Sequence, residues 1–355
     1  MLVIAIFAVG AMLSAFSAAS NTATPRSFKT VVSDDVSQNA LSIFIGSFIY
    51  SIVATIALQN GFYGRAGNFV LFLLTLLVFG IVIFSFLRWV ERISKLGRLI
   101  YTIKKVEEAT TKAMKERKSD MFLGGVPFSG EWKRENPVFS DQVGYVQHIN
   151  MEKLQELALS LDATFLLNSL PGAFTAPDKP LIYLLSGDVA TLNKKLKILN
   201  SAFIINENRS FYGDPRFGLI ALSEIASRAL SPGINDPGTA ISIIGSYVRI
   251  FSLWLKKEDT HTTLKVRYDR IVVPGISLAD MFDDAFRPIA RDGAGNIEVM
   301  IRLQKAFKSI QFIASGEEKE IILSQSRQAY ERANAAITYP GDLELLRKES
   351  IFGNV

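Results

Sequence analysis

The stretch NFVLFLLTLLVFGIVIFSFL occupies Asn68–Leu87 and carries no charged side chain along its 20 residues. A second uncharged stretch, ALSIFIGSFIYSIVATIAL, occupies the 19 residues Ala40–Leu58. About 20 apolar residues in a helix cross the ~30 Å hydrocarbon core of a bilayer. Both stretches therefore predict transmembrane helices.

The amino terminus is apolar as well. Met1–Phe16 reads MLVIAIFAVGAMLSAF, and it begins without a positively charged segment. Ala15–Ser20 contains small residues of the kind that signal peptidase cleaves after, but a signal peptide normally starts with basic residues. The pattern favours a third transmembrane helix at residues 1–16, so that residues 1–87 form the membrane region.

The loop charges predict the orientation of this region. The loop Gln59–Gly67 carries only Arg65, whereas Arg88–Lys118 carries ten basic residues close to a membrane end. Lys and Arg accumulate on the cytoplasmic side of membrane proteins. We therefore expect a multi-pass protein of the bacterial cytoplasmic (inner) membrane with a cytosolic C-terminal part. Met1 would then begin outside the cell, which leads us to expect one further helix upstream.

Composition excludes several classes of site. The chain has no cysteine and two histidines, His148 and His261, so we expect neither a Cys-ligated metal nor any cofactor. The net charge is +5 and the pI is about 9.2. The basic run Arg88–Lys118 accounts for this excess, either as a solvated helix or as a contact for anionic lipid headgroups. No nucleic-acid motif accompanies it, so nucleic acid is not an expected partner.

Beyond the membrane region the pattern predicts three segments. Residues 88–137 read as a basic juxtamembrane helix and a Gly/Pro-rich linker. Residues 138–208 alternate short strands and helices, which predicts a small α+β module. Residues 209–355 have mainly helical periodicity, interrupted by one strand candidate at Lys265–Val273. The predicted fold is thus an α-helical transmembrane segment, a cytosolic α+β module and a C-terminal helical bundle.

The most distinctive motif is a pair of Asp-Pro dipeptides. Asp caps helix N-termini and Pro is favoured at the first helical position, so Asp214-Pro215 and Asp236-Pro237 each predict a helix start. Capping explains every one of these residues. Asp236 of the second pair could also belong to a polar corner that binds a ligand, where one helix ends and the next begins. The candidate ligand-binding residues at this corner are Arg228, Ser231, Asn235 and Asp236.

Three of these residues, Ser231, Asn235 and Asp236, belong to ALSPGINDPGTA, Ala229–Ala240. This segment resembles a signature of bacterial predicted integral membrane proteins catalogued only as a domain of unknown function. The resemblance extends to GYVQHIN at Gly144–Asn150, PGAFTAP at Pro171–Pro177 and GDPRFGL at Gly213–Leu219. It implies four membrane helices and a cytosolic C-terminal part. The chain departs from that pattern by one fewer upstream helix, a short outward loop and few histidines after the membrane region. The resemblance implies no activity.

Two functions of different class fit these features. The first is an oligomeric channel or permeation-type protein, because a stripe of small and hydroxyl residues on the helix at Ala40–Leu58 allows close packing between helices, including those of a homo-oligomer. The second is a membrane-anchored sensor or scaffold whose cytosolic domain binds a ligand or partner. A carboxylate enzyme is the weakest reading, since no catalytic nucleophile and base can be named. The stripe consists of Gly46, Ser47, Ser51, Ala54 and Thr55.

Overall fold

A computed structural model of the chain describes residues 35–62, 64–96, 98–130, 135–256 and 266–353, together with residues 3, 6, 7, 9–14, 17 and 26. The chain divides into two compact units, Met1–Val106 and Glu107–Val355. Much of the helix predicted at residues 1–16 lies outside the described residues.

The first unit contains a helical hairpin. Helix α1 (Asp35–Gln59) packs against α2 (Arg65–Leu96). An aromatic cluster joins the two helices, and in it the ring of Phe44 packs edge-on against Trp89 with their centroids 6.2 Å apart. Large apolar side chains are exposed along both helices, as expected where lipid is the solvent. By length and composition, Gln38–Gln59 and Arg65–Arg92 could each cross a membrane. The helices predicted at Ala40–Leu58 and Asn68–Leu87 are thus present, and both are long and apolar enough to cross a membrane.

A third helix that is long and apolar enough to cross a membrane, Pro237–Leu255, lies in the second unit. Its apolar residues have another explanation, because Ile244, Tyr247 and Phe251 are fully buried against neighbouring helices of the same unit. The apolar face of this helix therefore belongs to a protein core.

The second unit begins with two small sheets. In chain order the elements after α3 (Leu99–Ser119) form one five-stranded sheet in the order β1-β8-β4-β6-β2 and one antiparallel three-stranded sheet in the order β5-β3-β7. A shared core of buried aliphatic and aromatic side chains fills the space between the strands and helix α4. The bounds of these elements are β1 (Gly125–Pro127), β2 (Pro137–Phe139), β3 (Gly144–Ile149), α4 (Met151–Ser160), β4 (Thr164–Leu167), β5 (Phe174–Thr175), β6 (Pro180–Ser186), α5 (Val189–Asn193), α6 (Leu196–Asn200), β7 (Phe203–Asn206) and β8 (Tyr268–Val273).

The larger sheet recruits strands from outside the segment 138–208. Strand β8 lies parallel to both β1 and β4, so Ile271 pairs with Phe165 and Val273 pairs with Pro127. The linker predicted within residues 88–137 thus contributes β1, at one edge of the sheet. The strand predicted at Lys265–Val273 contributes β8 and completes the α+β module. Burial drives this arrangement, since Ile271 and Val273 are fully enclosed in the module's core.

A helical bundle forms the rest of the second unit. Its core is a cluster of fully buried aromatic rings with centroids 4.4–5.5 Å apart, contributed by Tyr247, Phe251, Phe282, Phe286 and Phe307. The described residues of this segment are mainly helical, as its periodicity predicts, and two of the helices begin at the Asp-Pro pairs. The helices are α7 (Pro215–Leu230), α8 (Pro237–Leu255), α9 (Leu278–Asp292), α10 (Ile297–Ile313), α11 (Glu317–Ala336) and α12 (Pro340–Glu349).

The last turns of α3 pack into this bundle. A Cβ built on Gly218 of α7 would lie 2.0 Å from the Thr110 hydroxyl, so the two helices touch where only glycine fits. Glu107 accepts hydrogen bonds from Ser246 (2.6 Å) and from Arg249 (2.5 and 2.7 Å) of α8. The end of the basic run is therefore a structural part of the second unit.

Candidate functional site

The predicted polar corner is a tight connection between α7 and α8. Ser231 donates its hydroxyl to the carbonyl of Arg228 (2.7 Å), and Asn235 adopts a left-handed backbone with φ +50°. Asp236 caps α8 by accepting from the Thr239 amide (3.1 Å) and from the Thr239 hydroxyl (2.6 Å). These bonds from Thr239 lower the pKa of the half-buried Asp236 carboxyl.

Local geometry thus explains the corner as a helix end and a helix start. The chain brings Ser231, Asn235 and Asp236 together through their backbone, and the described residues contain no cluster of three or more His, Asp or Glu side chains able to hold a metal ion. Ligand binding at this corner stays a prediction.

The stripe on α1 faces a cavity of about 310 Å³ within the first unit. Ser47, Ser51 and Thr55 each donate to a backbone carbonyl of their own helix, at 2.7–2.8 Å. Tyr50 reaches across to the Thr75 hydroxyl of α2 at 3.0 Å. Ala54 also lines the cavity, whereas a Cβ on Gly46 would meet no atom within 4 Å. A contact between subunits along this stripe remains a prediction.

A larger cavity, which the sequence did not predict, lies in the second unit and has a volume of about 550 Å³. It is open to the surface. Its lining comes from the end of α3, the end of β3 with the N-terminus of α4, and four loop segments, at Leu123, Pro171, Gly213 and Arg267. Parts of the segments GYVQHIN, PGAFTAP and GDPRFGL meet at this cavity, through His148, Pro171 and Gly213.

One wall of the cavity is fixed by a buried ion pair. Arg209 holds Asp214 with two hydrogen bonds of 2.8 Å, and Asp214 also caps α7 by accepting from the Phe217 amide (3.1 Å). Gly172 (φ +92°) lies against this carboxylate, so that a Cβ there would be 2.3 Å from Asp214 Oδ2. Burial raises the pKa of Asp214, and Arg209 opposes that rise. The glycine of PGAF and the Asp-Pro pair of GDPR therefore form one structural unit.

Arg117, at the end of α3, is the most unusual residue of the cavity lining. Its side chain is 2% exposed, yet none of its three guanidinium nitrogens has a hydrogen-bond partner among the described residues. Burial lowers the pKa of Arg117 to about 10, with Asp120 and Asp214 partly offsetting the effect through space. The group therefore stays protonated at neutral pH, as a buried cation without a directional partner.

A second arginine of the lining, Arg267, has a carboxylate partner. It donates to Asp120 at 2.5 Å, and the same carboxylate accepts from the Gly124 amide at 2.6 Å. The Asp120 carboxylate thus accepts hydrogen bonds from Arg267 and Gly124. It acts on Arg117 by charge attraction and not by a hydrogen bond.

Sequence reasoning missed Arg117 because it is one of ten basic residues in a run that looked solvated. A signal was present nonetheless. Thr110, Ala113, Met114 and Arg117 recur at helical i, i+3, i+4, i+7 spacing, and all four are buried. Arg117 therefore lies on the apolar face of an amphipathic helix. This position distinguishes Arg117 from Lys112 and Lys115, which are exposed.

Comparison with known proteins agrees with the predicted membrane character. The family described as "Predicted membrane protein (DUF2254)" matches residues 1–309. Uncharacterized protein Rv1290c of Mycobacterium tuberculosis is 30% identical over 122 residues, which cover 30% of this chain and 21% of that protein. Uncharacterized protein Mb1321c of Mycobacterium bovis matches with the same identity and coverage, so the chain spans about a fifth of the length of these curated relatives. No solved structure matches the chain significantly.

Proposed function

The chain belongs to the family of predicted membrane proteins that matches residues 1–309, and from this premise we propose that it is a membrane-anchored sensor or binding protein. In this proposal α1 and α2 hold the protein in the bilayer, and the unit Glu107–Val355 binds a small ligand. The observation that carries it is the 550 Å³ cavity of that unit, a size within the range of about 300–1,000 Å³ typical of ligand pockets.

The construction of the cavity supports a binding role. Its wall at Pro171 and Gly213 adjoins the buried pair of Arg209 and Asp214, and its floor includes the buried Arg117. A buried polar group without a hydrogen-bond partner in a cavity lining calls for a missing partner, and a bound ligand can supply one.

The protein would lie in the inner membrane with its ligand-binding unit in the cytosol. The basic residues between Arg88 and Lys118 support this orientation. A periplasm-active reporter fused after Val355 should then be silent, while the same reporter active in the cytosol should give signal. A strong periplasmic signal would contradict this orientation. The ligand would then come from the periplasm and not from the cytosol.

A homo-oligomeric channel is the second candidate, favoured by the hydroxyl-lined cavity between α1 and α2. The hydroxyls of Ser47, Ser51 and Thr55 already donate to backbone carbonyls, which is the arrangement expected for packing rather than for a pore. Recording from the purified protein in planar bilayers separates the two functions. Unitary currents would support the channel and contradict a purely anchoring role for the helices.

Binding is tested on the full chain in detergent, by screening neutral, cationic and anionic small molecules for an increase in melting temperature. The chain has no cysteine, so Tyr212→Cys provides one labelling site at the cavity, where Tyr212 is 65% exposed. A bulky maleimide on that variant should abolish the ligand-dependent shift. The matched control is Tyr339→Cys, equally exposed at 66% and outside the cavity lining, which should keep the shift when labelled. A screen with no binder, or a binder unaffected by the first label, would contradict the proposal.

A further inference from the structure

Arg117 leaves a specific chemical requirement unmet in the cavity. A buried guanidinium normally has acceptors for its N–H groups, because an ionised group without them loses several kcal/mol of solvation. In the described part of the chain Arg117 has no such acceptor, although it lines a cavity large enough for a ligand. Planar guanidinium groups bind carboxylate and phosphoryl oxygens with paired hydrogen bonds.

The N-terminus of α4 is a second, independent feature of the same cavity. Asn150 caps this ten-residue helix by accepting from the Lys153 amide at 2.9 Å. The amides of Met151 and Glu152 belong to the first turn, where N–H groups have no acceptor within the helix. Both residues line the cavity, so the first turn of α4, where the helix dipole is positive, forms part of its wall.

Resting on the binding function proposed above, we propose that the cavity takes a small organic ligand with one phosphoryl group, bound between Arg117 and the N-terminus of α4. A tetrahedral oxyanion offers several acceptors in different directions, which suits donors that come from two separate elements. The cavity exceeds the size of a bare phosphate, so the ligand carries an organic body, and the rings of His148 and Tyr212 provide a surface for it.

The acidic residues of the lining limit the ligand to one such group. Asp120 is neutralised by Arg267, but Glu116 and Glu152 lie exposed on the lining. Within the described part of the chain, Glu116 pairs with the exposed Lys112, at 3.9 Å. These carboxylates repel a second phosphate, so the site discriminates against polyphosphates.

The full chain in detergent is titrated with inorganic phosphate, a glycerol monophosphate and a nucleoside triphosphate, and its melting temperature is measured. We expect the monophosphate to raise the melting temperature most, inorganic phosphate less and the triphosphate least. Arg117→Lys should weaken the monophosphate affinity at least about tenfold, and Arg117→Met should abolish the shift. Lys115→Met, which removes the same charge from an exposed position of the same helix, should leave the shift unchanged.

A phosphoryl group could come from a soluble metabolite or from a lipid headgroup, and the protein in nanodiscs distinguishes them. An Arg117-dependent increase in melting temperature with phosphatidylglycerol over phosphatidylcholine, without added monophosphate, would identify a headgroup. If neither monophosphate nor anionic lipid shifts the melting temperature, or if Arg117→Met and Arg117→Lys both respond like the wild type, the inference is wrong. A neutral ligand blocked by the label on Tyr212→Cys would still leave the binding function standing, whereas no ligand at all removes both.

Discussion

Replacing Gly172 by alanine should be among the most destabilising single changes in the second unit. Two effects add at this position. The backbone is left-handed at φ +92°, which costs an L-residue about 1–2 kcal/mol. The new Cβ would also lie 2.3–2.6 Å from Cγ and both oxygens of Asp214, which is buried and bonded twice to Arg209.

The carboxylate cannot move without losing its partners. Breaking a buried ion pair costs about 3–5 kcal/mol, so we expect Gly172→Ala to lower the free energy of unfolding by about 4–7 kcal/mol. That loss is a large part of the total stability of about 5–15 kcal/mol typical of proteins. Equilibrium unfolding of the full chain in detergent measures it, followed by tryptophan fluorescence, to which the half-buried Trp254 of the second unit contributes.

Gly213→Ala is the matched control. Gly213 is also left-handed, at φ +67°, but a Cβ there would meet only Pro171 at an ordinary 3.6 Å. This variant should therefore cost only about 1–2 kcal/mol. In an Asp214→Ser background, which keeps a capping hydroxyl but removes the carboxylate, Gly172→Ala should cost no more than Gly213→Ala. Equal losses for the two alanine variants in the wild-type background, or an unchanged loss in the serine background, would refute the reasoning.

Two further predictions concern the sites seen first in the sequence. At the corner, Asp236→Asn should be nearly neutral and Asp236→Ala should cost about 0.5–2 kcal/mol in the same unfolding assay, because asparagine keeps the helix cap. Since hydrogen bonds lower the pKa of Asp236, its contribution should be complete above the unfolded carboxyl pKa of about 3.9 and should be lost as the pH falls below it. On the stripe, Ser51→Leu should change the size-exclusion elution of the detergent-solubilised protein if a second copy packs there, and the exposed Ile52→Leu should not. Identical elution of these two variants would remove the stripe as a subunit contact.

The amino-acid sequence determined the features that depend on one continuous stretch of the chain. The membrane hairpin followed from two uncharged stretches, because length and apolarity alone decide whether a helix can span a bilayer. The starts of α7 and α8 followed from their Asp-Pro pairs, and the structure places the caps at Asp214 and Asp236 as expected. A cap acts over three residues, so its evidence is contained in the local sequence.

Tertiary structure alone decided what lies between distant segments. Strand β8 pairs with β1 and β4, which lie more than a hundred residues earlier, and no local pattern specifies such partners. The cavity is likewise assembled from α3, α4 and loops near Pro171 and Gly213. In the sequence Arg117 differs little from the exposed basic residues around it. Its burial follows from the packing of α3 against other elements, and that packing alone turns an ordinary arginine into a cation without a partner.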